Sequence, residues 1–228
     1  MNKSLIFGVT ILGLALVPAA WSEARWYKGA THVHSLWSDG NGSPEIIADW
    51  YKKHGWDFMC FSDHNTLLEG EKYVSIDPEG HLTPARFDAL QSQFGEDWTV
   101  TREAGGKRQM RLKTLEEIIA HFAEAGKFLL FPAKEMTSHG GNPHMNVLNV
   151  REVVPGAPKG GGMTPKMQGY IDTIEAQKAK HKVPMLVHLD HPNYHDRVTT
   201  EEMIAVRGLR FFEVFNGIGH YGDPAQGV

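Results

Sequence analysis

Five short apolar runs in this chain end in residues that chelate metals or form hydrogen bonds. They are HVHS at 32–35, FSDHN at 61–65, PAKEMTSH at 132–139, LVHLDHPN at 186–193 and FFEVFNG at 211–217. Helical patterns alternate with these runs, and a βαβα order with apolar strands predicts a mainly parallel sheet covered by helices. In barrels and open α/β sheets the C-terminal strand ends gather at one face, where active sites are built. The recurrence therefore constrains fold and site together, because five such strands would bring their polar ends to one pocket.

The punctuation between the runs supports this order. Ser43 and Pro44 make a helix start for PEIIADWYKKH, with Ile46, Ile47, Trp50 and Tyr51 at helical spacing and Gly55 as the stop. A second helix is expected over TLEEIIAHFAEAG, capped by Thr114 and stopped by Gly126. A third runs from about Lys166 to His181, and a short one lies near 200–206. Residues 70–113 are polar, with scattered Gly and Pro, and read as an insertion carrying a small hairpin or helix. PGAPKGGGMTP, at 155–165, is a loop. The 228 residues fit one large domain.

The first 24 residues read as an export signal, with Lys3 in a positive start, an apolar stretch and small residues that allow cleavage after Ser22 or Ala24. The apolar stretch is about 16 residues long and contains Gly8, Gly13 and Pro18. A spanning helix needs ~20. The expectation is an exported, periplasmic or secreted protein without a stable membrane anchor, an uncleaved N-terminal anchor being the rival. The single cysteine, Cys60, excludes an internal disulfide and reads as a buried structural thiol. A net charge of -4 gives no reason to expect a nucleic-acid partner.

His32 and His34 stand two apart, so on a strand both imidazoles point to one side and reach one ion, with Asp39 in the following loop. His64 beside Asp63, Glu135, His144 and His188 follow, each at or just beyond a strand end. Imidazole and carboxylate without thiolate suit Zn, Mn or Fe. Bland alternatives exist for each residue: a stray H-x-H, a turn at Asp63 and His64, a polar loop at His188 and His191, a surface ion pair of Lys134 with Glu135. Together they leave unexplained why polar groups sit at the same end of five apolar strands. His54, His81, His121, His181 and His220 lack such placement and read as solvated.

These motifs carry a family resemblance. H-x-H followed by D-G, then S-D-H-N, a strand-end Glu and later V-H-x-x-H-P resemble the polymerase and histidinol phosphatase (PHP) domain of metal-dependent hydrolases, over roughly residues 26–217. The resemblance implies a distorted seven-stranded (β/α) barrel holding two or three divalent ions. It implies that His32 and His34 hold the first ion and share Glu135 with the second. His144 and His188 would complete the second site, and Asp39 and His64 would hold a third. Asp63 would orient a ligand, and Asn216 matches no ligand position. The family's late D-x-H motif is missing, since His220 and Asp223 stand in the wrong order. The expectation is a barrel lacking its last strands, with a shorter two-metal protein as the alternative.

The leading expectation for function is hydrolysis of a phosphate ester by a hydroxide bridging the ions, with His191 or His139 protonating the leaving group. Lys107, Arg108, Arg111 and Lys113 could attract an anionic substrate, although such runs are more often solvated faces. A second expectation is a carboxyl or carbamate ester substrate, with Leu36 and Trp37 beside an uncharged aromatic group. A third is a non-catalytic metal-binding module.

Overall fold

The computed structural model describes residues 24–139, 141–157, 160–193 and 198–214. The expected signal segment falls almost wholly outside the described residues, as do Asn216, His220 and Asp223.

Eight strands and five helices are formed among the described residues. The main sheet takes β1 (Gly29–Ala30), β2 (Phe58–Phe61), β6 (Leu129–Ser138), β7 (Gly141–Leu148) and β8 (Leu186–Leu189), in that spatial order. β1, β2 and β6 run parallel, whereas β7 is antiparallel to both β6 and β8. Beyond β8, Phe212 bridges to Leu189 in parallel sense. A second, antiparallel sheet has β5 (Lys107–Arg111) between β3 (Tyr73–Ser75) and β4 (Thr101–Ala104). With helix α2 (Pro84–Phe94), it makes up most of the stretch 70–113.

The expected distorted (β/α)7 barrel is corrected by this topology. The chain forms a five-stranded sheet curled into half a barrel, with a separate small sheet. The cause lies between β6 and β7. β6 ends at Ser138 and β7 begins at Gly141, so the chain reverses at once and the strands pair antiparallel from Ala133–Leu148 to Ser138–Gly141. A parallel neighbour would need a crossover of a dozen or more residues.

Strand alternation divides the main sheet into two faces. Met59 and Phe61 of β2 and Leu130 of β6 pack with Ala48 of α1 (Pro44–Lys53) and with Ile118 and Phe122 of α3 (Leu115–Phe122). Met136, Met145, Val147 and Leu189 pack against Met167, Tyr170 and Ile174 of α4 (Met163–His181). Alternate residues point the other way. Phe58, Leu129, Phe131, Leu148 and Leu186 line a hollow of about 560 Å³ on that second face.

Local signals explain the helix starts. Thr114 and Glu117 form a reciprocal capping box at α3, and Thr199 and Glu202 form another at α5 (Thr200–Ala205). Pro44 opens α1 as expected, but the Ser43 side chain makes no capping bond. α3 stops at Phe122, short of Gly126. No helix among the described residues is long and apolar enough to cross a membrane.

Candidate metal centre

Glu135, on β6, is the hub of the polar edge and is fully buried. Its Oε2 lies 2.6 Å from His34 Nε2 and 3.3 Å from both His32 Nε2 and His64 Nδ1. Its Oε1 lies 2.5 Å from His144 Nδ1 and 3.7 Å from His191 Nε2. Five imidazoles from four segments of the chain thus address one carboxylate.

The fold delivers each of them by a local device. His32 and His34 follow β1 and share a side because they are two apart. Their Nε2 atoms are 3.1 Å from each other. His64 is held against β6 by Asn65, which adopts a left-handed φ of 52°. The Asn65 backbone N–H donates to the Glu135 carbonyl, and its side-chain amide both accepts from and donates to the Thr137 backbone. His144 lies near the start of its strand, yet β7 is antiparallel, so its beginning meets the ends of the parallel strands and pairs with Thr137. His191 takes a φ of 28°, a region non-glycine residues avoid, just before Pro192. That turn takes its ring out of strand alternation and sets it 5.1 Å from the His144 ring.

Asp63 is buried and accepts from the Ser35 backbone N–H, the Ser35 hydroxyl and the Ser38 hydroxyl. It therefore organises the loop between His34 and Asp39 and bonds no imidazole among these contacts. At the end of that loop, Asp39 Oδ1 is 2.8 Å from His34 Nδ1 and Oδ2 is 3.5 Å from His64 Nε2.

Burial and charge compete throughout. Burial opposes protonation of His32, but the carboxylates of Glu135 and Glu213 outweigh it and raise the ring to about 11. Burial likewise opposes His34, which Asp39 and Glu135 raise to about 9. His34 and His64 hold the Asp39 carboxyl below the usual range. Burial works against ionisation of Glu135, yet the surrounding imidazoles hold its carboxyl well below its ordinary value.

The donor set fits divalent ions. Four atoms coordinated tetrahedrally at about 2.1 Å stand about 3.4 Å from one another. The contacts among His32 Nε2, His34 Nε2 and Glu135 Oε2 are 3.1, 3.3 and 2.6 Å. His34, Asp39 and His64 form another close group, as do His64, Glu135 and His144. Glu135 Oε1 and His144 Nδ1 are buried and adjacent, yet neither makes a hydrogen bond of acceptable geometry. Such orphaned atoms are costly unless something else satisfies them, and a cation held between them would do so. The only cysteine is elsewhere, with the Cys60 thiol buried against the Ala30 and Thr31 carbonyls and its ionisation suppressed by burial.

The expected ligands His32, His34, Asp39, His64, Glu135 and His144 are therefore brought together. His188 is placed differently. Its Nδ1 lies 2.8 Å from Asp190, and it lines the apolar hollow instead of touching Glu135. Strand alternation puts Asp190 on the same side as His188, a signal present in the sequence. Asp190 and Glu213 form a close group with His32 that the motifs did not single out. The expectation that His191 or His139 protonates a leaving group meets two different placements: His191 stands against Glu135 and His144, whereas His139 is exposed in the turn after β6. Leu36 and Trp37 are buried in the core, the Trp37 indole donating to the Lys113 carbonyl. Lys134 and Glu135 make no surface ion pair, since both are buried and Lys134 donates to the Val154 carbonyl.

No family model and no curated protein matches the chain. Among solved structures it is similar to PsfC from Pseudomonas syringae PB-5123, at 16% identity and a TM-score of 0.38. The match covers 82% of this chain and 64% of that one, so the chain spans less than two thirds of that protein's length. At that identity and score the likeness assigns neither fold nor activity.

Proposed function

We propose that the chain is a metal-dependent hydrolase of ester bonds, with phosphate esters as its substrates. One observation carries the reading: the buried Glu135 carboxylate, both of whose oxygens face imidazole nitrogens, with Oε1 and His144 Nδ1 adjacent but not hydrogen-bonded. A carboxylate so placed can bridge two ions. His32, His34 and Glu135 would hold one; Glu135, His144 and His191 would hold a second; Asp39 and His64 would contribute to a third. Zn, Mn or Fe suit these donors. Bound, they supply a nucleophilic water at neutral pH and polarise the ester oxygen. The residues themselves fix the geometry: Asp63 holds the loop of Asp39, Asn65 clamps His64, and the turn at His191 aims its ring inward. The PHP resemblance of the motifs agrees with this reading. Export to the periplasm or beyond is part of the proposal and rests on residues 1–24, so N-terminal sequencing of the mature protein tests it.

A second reading, carboxyl or carbamate ester hydrolysis, draws support from the basic residues, which are engaged with neighbours. Lys107 pairs with Asp77 at 2.6 Å, and Arg111 and Lys113 both reach Glu117. Metal content and turnover should be measured on one preparation, with p-nitrophenyl phosphate against 1-naphthyl acetate and 1-naphthyl carbamate. Hydrolysis of the phosphate supports the first reading, and activity on the naphthyl esters alone overturns it in favour of the second. Bound metal without turnover of any ester identifies a binding module.

A further inference from the structure

We infer that Glu213 is a positioning residue that presents two ligating imidazoles, His32 and His191, to opposite sides of the Glu135 carboxylate; the inference rests on the metal-site reading above. Glu213 Oε1 lies 2.7 Å from His32 Nδ1, and its Oε2 accepts the backbone N–H of His191 at 2.9 Å. The segment carrying it is itself fixed. The Glu213 N–H donates to the Leu189 carbonyl at 2.8 Å, and the Leu189 N–H donates to the Phe211 carbonyl at 3.0 Å.

A neutral imidazole has one donor and one acceptor nitrogen. When Nδ1–H of His32 is committed to Glu213, the lone pair is left on Nε2, which is the atom facing Glu135 Oε2 and His34 Nε2. A carboxylate behind a ligating histidine fixes the tautomer and raises its basicity. Asp190 also approaches this ring, but at 3.9 Å from Nδ1 it is beyond hydrogen-bonding reach, and its nearer partner is His188. Glu213 is therefore the group that sets His32.

The other oxygen acts through the backbone. The left-handed turn at His191 is strained for a residue before proline. The bond from its N–H to Glu213 holds the turn that carries the ring to Glu135 Oε1. One side chain thereby couples a ligand of each half of the proposed site. The competing role for Glu213 is direct ligation, since it also groups closely with His32 and Asp190.

The test compares wild type, E213Q and E213A for Zn2+ stoichiometry, Zn2+ affinity by chelator competition, and the 1H–15N signals of the histidine side chains. Gln keeps one acceptor but cannot accept both bonds. Unchanged stoichiometry is expected, with affinity reduced roughly 10-fold in E213Q and up to about 100-fold in E213A. The hydrogen-bonded Nδ1 proton of His32 should be lost in E213A. Loss of one bound ion per chain in E213Q would overturn positioning in favour of ligation, and unchanged affinity with an unchanged Nδ1 signal would overturn both. If wild type binds no Zn2+, Mn2+ or Fe2+, the metal-site reading itself fails; the Nδ1 signal, readable without metal, then still decides whether Glu213 sets His32.

Discussion

The charges of the small sheet and those around Glu135 are satisfied in different ways. In the small sheet, Arg111 reaches both oxygens of Glu117 at 3.0 and 2.5 Å, and Glu117 also caps α3 through Thr114. Arg102 lies over the Tyr73 ring and Arg108 over the Phe87 ring. Donors meet acceptors, and the network closes on itself. Around Glu135, ring nitrogens face one another and a carboxylate, and buried atoms on Glu135 and His144 are left without hydrogen bonds. Imidazoles and carboxylates gathered this closely can share a divalent ion as a common partner. The first region is complete as a piece of structure, and the second has the chemistry of a ligand set.

The sharpest way to break this contrast is to remove the carboxylate from each region. Glu135→Gln should abolish tight binding of at least one ion and lower ester turnover on the order of 10³-fold, the scale of losing a group that stabilises the transition state. Glu117→Gln should leave metal content and turnover unchanged while lowering the melting temperature. Mass spectrometry of bound metal and turnover on the same samples read the outcome. Equal losses in both variants would erase the distinction between the regions.

A finer cut falls within the polar edge. His144→Ala should reduce metal content and cut turnover on the order of 10²-fold, because its ring nitrogen adjoins Glu135. His188→Ala should retain the bound metal, since its nearest charged partner is Asp190. Equal loss of metal in both variants would restore the ligand set implied by the motifs.

pH separates the metal-free and loaded forms. His32 and His34 are raised to about 11 and about 9, so the stability they contribute without metal is fully present below pH ~6.5 and is lost as pH rises through those values. Asp39 is lowered, so its contribution is present above pH ~4 and is lost on acidification through its folded value. Metal must displace the ring protons. Zinc affinity should therefore increase from pH 6 to 9 with measurable proton release, while the melting temperature in chelator falls over pH 8 to 10. A pH-independent affinity would mean that these rings do not bind the ion.

Much of the site was legible because its residues sit where strand geometry is simple. His32 and His34 follow the two-residue period, and Asp63, His64 and Asn65 form a compact turn at the end of β2. The Thr114 cap of α3 was likewise readable from four residues. The failures share one cause, which is that strand direction and backbone sign are set by tertiary structure. The runs before and after Ser138 look alike whether they pair parallel or antiparallel, so the barrel expectation missed the hairpin. His191 departs from strand alternation through its left-handed turn, so alternation alone points to His188, whose ring lies against Asp190 and not Glu135. Glu213 lay in one of the five runs, yet its role depends on a chain neighbour 181 residues away.

The smallest predicted effect tests whether the two regions cooperate after all. Lys107 holds Asp77, and Arg108 covers Phe87. An exposed ion pair is screened by solvent and contributes little to stability. A lysine already paired with a carboxylate presents little net charge to a passing anion. Lys107→Ala and Arg108→Ala should therefore change KM for p-nitrophenyl phosphate by less than about twofold and leave 1-naphthyl acetate unaffected, since screening leaves little long-range attraction at physiological salt. A tenfold rise in KM confined to the phosphate would show that the small sheet draws the anion in. The closed network would then be part of the substrate path as well as a structural unit.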